Sequence, residues 1–353
     1  MAVADELRAS GAEVSFLGTR ERIEAELVPA AGYEIDFVKV RGIDRRNPLK
    51  AARAGVEALG AVGEARKALR HRDADVVVGG GGFVAGPAGL AATLTRTPLV
   101  LTEADSHLGL ANRLLARRAR RVCLAFPIEG REGEPYLLTG RPVPKAVLEG
   151  DREQARARFG IAADAKVLLV VGGSQGARSI NFAAIEAFAE GENAVVPAMR
   201  KEMRSHDFHV LQIAGRRDFP ELEARLATAP HAEDYTLLDY EPNLGDALAA
   251  ADLVLGRSGG SIFEVVAVGR PAILVPYPFA TADHQSANAE WMRSGGAAMV
   301  IADAELTAAR LAAEVGVVLG DEARLGKMAA AAQRLAKPDA ARRIADEVLE
   351  AAR

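Results

Sequence analysis

Val170-Val171-Gly172-Gly173-Ser174-Gln175-Gly176-Ala177-Arg178 runs an apolar strand through three glycines into a helical stretch. Glycine lets the backbone turn tightly, and the unpaired N–H groups at a helix start attract phosphate. Ser174 adds a hydroxyl donor beside Gln175 and Gly176. One such turn also serves as a plain strand-to-helix connection, so its surroundings decide what it means.

Those surroundings repeat the pattern. Short β-rich apolar runs alternate with Ala-rich helical stretches, as parallel sheets with crossover helices require. In the first half the pattern predicts strands over 13–17, 34–38, 75–78, 98–102 and 121–125. Helices are predicted from the start to Ala9, over 47–69, 87–94 and 108–118. In the second half strands fall over 166–171, 209–214, 235–238, 253–255 and 272–275. At 353 residues the chain exceeds the usual size of one core, so two α/β domains follow. Gly140-Arg141-Pro142-Val143-Pro144 is the natural joint, since two prolines forbid a continuous helix. The expected division is 1–143, 144–330 and a closing helix over 331–353 that packs back on the N-terminal domain. The start is unusual: Met1 already lies in a helical pattern, whereas a doubly wound unit opens with a strand and a glycine-rich turn.

Two more segments of the second half end strands with ligand-binding chemistry. Leu255-Gly256-Arg257-Ser258-Gly259-Gly260-Ser261-Ile262-Phe263-Glu264 leads from a strand to a helix. Ser261 with Glu264 three residues on fits a capping box, and Glu264 equally fits an acceptor for ribose hydroxyls. Past the next strand, Asp283-His284-Gln285-Ser286-Ala287-Asn288 offers amides to sugar hydroxyls. In the first half, Gly79 to Gly82 present a nest of N–H groups, with Pro87 placed to open the following helix. Glu103 and Asp105 end the next strand, as cleft carboxylates or as an ordinary acidic turn.

Composition narrows the classes. Hydrophobic residues make up 49% and charged residues 26%, as in globular proteins. The net charge of −4 is uneven, with 22 Lys/Arg against 19 Asp/Glu in residues 1–150 and 22 against 29 beyond. The N-terminal half therefore suits an anionic partner or membrane surface better. Nucleic acid is not an expected partner. The single cysteine, Cys123, reads as a buried small hydrophobe. No apolar run is long enough to span a membrane, and charges at Asp5, Glu6 and Arg8 rule out a signal peptide, so a cytoplasmic protein is expected.

Taken together the segments resemble the MurG family, peptidoglycan N-acetylglucosaminyltransferases of the GT-B fold. The family's GGSQGAR stands at Gly172–Arg178, and its GGYVSGPGG is similar to GGFVAGPAG at Gly81–Gly89. SFLGT with RIEAELVP, Arg257–Glu264, Gly269–Pro276 and Asp283–Asn288 extend the likeness over nearly the whole chain. The resemblance implies two doubly wound domains facing a cleft. It implies inverting transfer of N-acetylglucosamine from UDP-GlcNAc to undecaprenyl-diphosphate-linked muramyl pentapeptide, lipid I, giving lipid II. It places Ser174 with Gln175 and Gly176 at the donor phosphates, and Ser258, Gly259, Gly260 and Ser261 beside them. Glu264 goes to the ribose, Gln285 to the sugar, and Tyr240 and Glu241 to the level of the uracil. Gly81, Gly82, Asp105 and Asn112 are the binding residues of the N-terminal half, where the acceptor diphosphate would sit.

No metal or other cofactor is implied. The family's first glycine loop, GGTGGH, with its histidine, would precede Met1, so the first strand and loop are expected to be missing. Glu103 and Asp105 are then the nearest carboxylates for a general base, and the chain as written is expected to bind donor but turn over poorly. Asp105 stands where the family has Asn, Thr102 where it has His, and Pro144 where it has Arg. The resemblance also implies work at the cytoplasmic face of the membrane. There a helix carrying Arg45, Arg46, Lys50 and Arg53 with Leu49, Val56, Leu59 and Val62 is a candidate contact. Another GT-B nucleotide-sugar transferase, or a non-catalytic nucleotide-sugar binder, remains as an alternative. A dinucleotide dehydrogenase fits less well, because neither glycine turn follows G-x-G-x-x-G.

Overall fold

The computed structural model describes residues 1–40, 48–172, 176–191, 208–280 and 283–353, placing 48–56 and 58 by backbone alone. The chain forms two compact units, Met1–Pro142 with Lys337–Arg353, and Val143–Ala336.

The first unit holds six parallel strands in two ladders. β1 (Ser15–Gly18) pairs with β2 (Glu34–Phe37), while β3 (Val77–Gly79), β4 (Leu99–Glu103), β5 (Arg121–Leu124) and β6 (Tyr136–Leu138) pair in that order. Both faces of the larger ladder are buried, which is why its strands read as unbroken apolar runs. Val100 and Cys123 pack on Leu7 of α1 (Ala2–Ala9) and on Ile344, Ala345 and Val348 of the helix Ala340–Ala351. Leu99, Leu101, Val122 and Leu124 face the other way, onto Ala92 of α4 (Gly82–Thr95) and Leu115 of α5 (Leu110–Leu115). The 24-residue α3 (Pro48–His71) lies beside α4 and shares a core with Val38, Val40 and Leu17. Cys123 is 1% exposed, and burial pushes its thiol pKa up to about 12, so it is an inert packing residue.

The second unit is one six-stranded parallel sheet in the order β12-β11-β10-β7-β8-β9. Its strands are β7 (Lys166–Val171), β8 (Phe208–Ile213), β9 (Tyr235–Leu238), β10 (Leu253–Gly256), β11 (Ala272–Leu274) and β12 (Ala298–Val300). Successive strands step one way from β7 and the other way from β10. The sheet therefore has its topological switch point between those two, outside whose carboxyl ends such sheets bind ligands.

The sequence pattern leaves out the helix Glu24–Ala30 and the edge strands β6 and β12, and it starts α4 too late. The helix after the glycine run starts at Gly82, not at Pro87, because Gly81 and Gly82 take φ of +83° and +72° and make the turn there. Pro87 sits inside that helix, where the Phe83 carbonyl forfeits an intrahelical N–H.

Candidate functional site

Strand register brings the sequence segments of the second unit together. Val171 pairs with Gly256, and Gly256 with Leu274, so β7, β10 and β11 end level. Their loops leave one sheet edge side by side, at the switch point.

The loop after β7 is built on two glycines. A side chain at Gly172 would sit 2.5 Å from the Ala177 nitrogen, and one at Gly176, at φ +72°, 2.9 Å from the Ala214 carbonyl. Gly173, Ser174 and Gln175 lie outside the described residues. The helix Arg178–Ile185 that follows has Ala177 at its N-cap and no side-chain cap, which leaves its first N–H groups to a ligand. Behind it Asp218, fully buried, accepts from Asn181 Nδ2 at 2.9 Å, Arg178 at 3.3 Å and Arg217 at 3.0 Å. Burial works to raise its pKa, but the hydrogen bonds from Arg217 and Asn181 and the two arginine charges hold it below the usual value. Arg178 also donates to Glu221 at 2.9 Å, so both arginines are held by carboxylates beside the loop. Gln212 donates to Asn181 Oδ1 and accepts from Tyr235, anchoring the arrangement in β8 and β9.

The loop after β10 is tied by Arg257. Its guanidinium donates to the Val275 carbonyl at 3.0 Å, Ser179 Oγ at 2.9 Å and Asp303 Oδ1 at 2.5 Å, joining all three loops. The Ser258 hydroxyl is buried and donates to the Gln285 carbonyl at 2.7 Å. Asn288 Nδ2 donates to the Ser258 carbonyl at 2.9 Å. The expected substrate contact through the Ser258 hydroxyl is thus corrected: that group positions the helix His284–Ser294. The Ser261 half of the expected capping box is absent: Ser261 takes helical backbone angles and its side chain caps nothing. Gly259, Gly260 and Ser261 remain half-exposed. Gln285 accepts the Tyr277 N–H at 3.0 Å through Oε1, which aims its amide group past Gly259. Glu241 turns inward to Arg158, 2.7 Å away, and to the Asn243 N–H, so only its backbone is available to a base, while Tyr240 is 54% exposed.

In the first unit, Gly80, Gly81 and Gly82 stand open at the carboxyl end of β3. Nothing lies within 4 Å of where side chains at Gly81 and Gly82 would be. Thr102 on the adjacent strand donates to the Gly79 carbonyl at 3.4 Å. Glu103 does not project. Its carboxylate accepts from the Asp105 N–H at 3.2 Å, the Gly109 N–H at 2.8 Å and Asn112 Nδ2 at 2.9 Å. The expectation of Glu103 as a base is corrected accordingly, since its oxygens are committed to shaping the 104–109 loop. Asn112, 1% exposed, supports Glu103 through its Nδ2. Asp105 is exposed. Among the described residues no cluster of three or more His, Cys, Asp or Glu is placed to hold a metal. Arg45 and Arg46 lie outside the described residues, as do the side chains of Leu49, Lys50, Arg53 and Val56; Leu59 is exposed and Val62 packs inward.

Sequence signals for Asn181, Gln212, Asp218 and Arg257 are weak, because their roles depend on partners as far as 78 residues away. Two α/β units, with glycine turns opening helices at the carboxyl ends of parallel strands, define a nucleotide-sugar glycosyltransferase of the GT-B class. Family models agree across both halves: the glycosyltransferase family 28 N-terminal domain matches residues 1–124 and the C-terminal domain residues 167–344. A UDP-N-acetylglucosamine–N-acetylmuramyl-(pentapeptide) pyrophosphoryl-undecaprenol N-acetylglucosamine transferase of Moorella thermoacetica is 40% identical, over 96% of this chain and 91% of its own. The enzyme of that name from Nitrosococcus oceani is 39% identical over 100% and 94%. The crystal structure of Acinetobacter baumannii MurG superposes with a TM-score of 0.75 at 28% identity, covering 99% of this chain and 94% of that one. The chain belongs to glycosyltransferase family 28 and, within it, to the MurG family.

Proposed function

We propose that this protein transfers N-acetylglucosamine from UDP-GlcNAc to an undecaprenyl-diphosphate-linked muramyl pentapeptide, making lipid II. The observation that carries the reading is the level ending of β7, β10 and β11 at the switch point, each followed by a loop of donor groups. The donor diphosphate lies against the first turn of the helix Arg178–Ile185 and the Gly259–Ser261 backbone, with Ser174, Gln175 and Gly176 at its side. Glu264 receives the ribose, the Gln285 amide the sugar, and the backbone at Tyr240 and Glu241 the uracil. As the C1–O bond to the diphosphate breaks, negative charge grows on the leaving UDP, where fixed N–H dipoles at the helix start stabilise it. The acceptor diphosphate rests on Gly81 and Gly82. Asp105 takes the proton of the attacking acceptor hydroxyl as the new C1–O bond forms on the opposite face.

The acceptor's lipid carrier puts the protein at the cytoplasmic face of the membrane as a peripheral enzyme. Among the described residues no helix is long and apolar enough to cross a membrane. Leu90 and Leu94 on α4, with Leu110 and Leu114 on α5, are exposed one helical turn apart and support surface contact.

Calorimetric titration with UDP-GlcNAc, UDP-glucose and GDP-mannose tests the donor side, and labelled-sugar transfer to lipid I tests the reaction. Saturable binding that prefers UDP-GlcNAc is expected, with Asp105→Ala lowering kcat by about 100-fold at unchanged donor affinity. A folded protein that binds none of the three would overturn the donor site, and an unchanged kcat would remove Asp105.

A further inference from the structure

The loop after β11 shows two aromatic rings to solvent. Phe279 is 81% exposed, more than any other large apolar side chain among the described residues, and Tyr277 is 43% exposed. The two rings meet edge to face, with centroids 5.6 Å apart and planes at 72°. The pairs Phe16–Tyr33, Phe188–Phe208 and Phe263–Trp291, by contrast, each bury at least one member.

Backbone bonds and one arginine fix this display. The Ala280 N–H donates to the Tyr277 carbonyl at 3.1 Å, closing a four-residue turn with Pro278 at its second position, where a fixed φ is favoured. Phe279 stands third, at the tip. Arg257 donates to the Val275 and Pro276 carbonyls, and its guanidinium lies over the Tyr277 ring, 5.4 Å from the centre. The turn therefore holds without burying the Phe279 ring. It is also tied to the sugar site, because the Tyr277 N–H donates to Gln285 Oε1 at 3.0 Å. The Gln285 Nε2 lies on the other side, 3.9 Å from where a side chain at Gly259 would begin, with its hydrogens toward the loop after β10.

A pyranose needs both kinds of surface found here. Its hydroxyls take hydrogen bonds at the rim, while its faces, when the hydroxyls are equatorial, are mostly C–H. Those hydrogens carry slight positive charge and meet the negative face of an aromatic ring. We propose that Phe279, braced by Tyr277, stacks on the C–H face of the donor's N-acetylglucosamine ring and positions the sugar independently of the nucleotide. This rests on the transferase reading above and adds a residue to its sugar site.

The full chain and its Phe279→Ala, Phe279→Leu and Phe279→Tyr variants are titrated calorimetrically with UDP-GlcNAc and with UDP, and KM for lipid I is measured for each. Phe279→Ala is expected to weaken UDP-GlcNAc about 10-fold and leave UDP unchanged. Phe279→Tyr should restore the parent value, with Phe279→Leu between the two. Unchanged UDP binding also reports that each variant is folded. Equal loss of both ligands, or loss of neither, overturns the stacking role. So does a raised KM for lipid I at unchanged donor affinity, which would put the ring against the acceptor. A parent that binds neither ligand removes the donor site itself and this role with it, whereas failure of the stacking role alone leaves parent binding intact.

Discussion

His209 on β8 shows what burial does to one side chain. Its Nε2 lies 2.8 Å from Thr236 Oγ1, and burial, with Arg156 adding to it, lowers its pKa to about 4. The unfolded chain takes up this proton near pH 6.5 and the folded chain does not until about 4. Stability is therefore complete above pH 6.5 and falls as pH drops from there toward 4, by up to about 3 kcal/mol. Thermal melts across that range should show the slope, and His209→Gln should flatten it; an unaltered slope would assign the proton to another group. Single residues are also where sequence is least legible. Ser258 and Asn112 have the chemistry of ligand contacts, yet both are buried and donate inward. Glu103 reads as a free carboxylate until the 104–109 loop is seen folded around it. Nothing local distinguishes a hydroxyl or carboxylate that meets a ligand from one that holds the loop that does.

Elements were easier to read than side chains, because strands buried on both faces announce themselves as apolar runs. β7 and β9 fall over the residues the pattern predicts, 166–171 and 235–238. β6 and β12, short strands at sheet edges, escape, and so does the start of α4, because a proline outweighs two glycines in the pattern. What anchors one element to another is rarely visible in the chain. Asp252 precedes β10, accepts from Arg152 at 2.7 Å and Arg156 at 2.9 Å, and receives the Val167 N–H of β7 at 2.8 Å. The helix Arg152–Phe159 is thus fixed to the amino ends of the two central strands. Arg156 is 3% exposed, so Asp252→Asn would leave it a buried charge without a counter-charge. We expect a loss of about 3 to 5 kcal/mol in denaturant unfolding. A loss below about 1 kcal/mol would mean that the carbonyls of Ala250, Ala162 and Ala163 suffice for Arg156.

For the whole molecule, alternating strands and helices made two α/β units legible, and the matched motifs supplied the family. The first unit is composed of two distant stretches of chain, Met1–Pro142 and Lys337–Arg353. Residues 337–353 complete the core beneath β4 and β5, and Arg121 reaches Glu347 at 2.7 Å. Deleting 337–353 should lower one of two calorimetric transitions and leave the other, which UDP-GlcNAc raises, in place. Equal shifts in both would contradict that division. The same arrangement sets an order on the ribosome. At ordinary elongation rates the second unit takes roughly 10 to 40 s to synthesise, and only afterwards does the last helix emerge. Through that interval Val100 and Cys123 lack the cover of Ile344 and Val348. The part of the protein made first is therefore the part that finishes folding last.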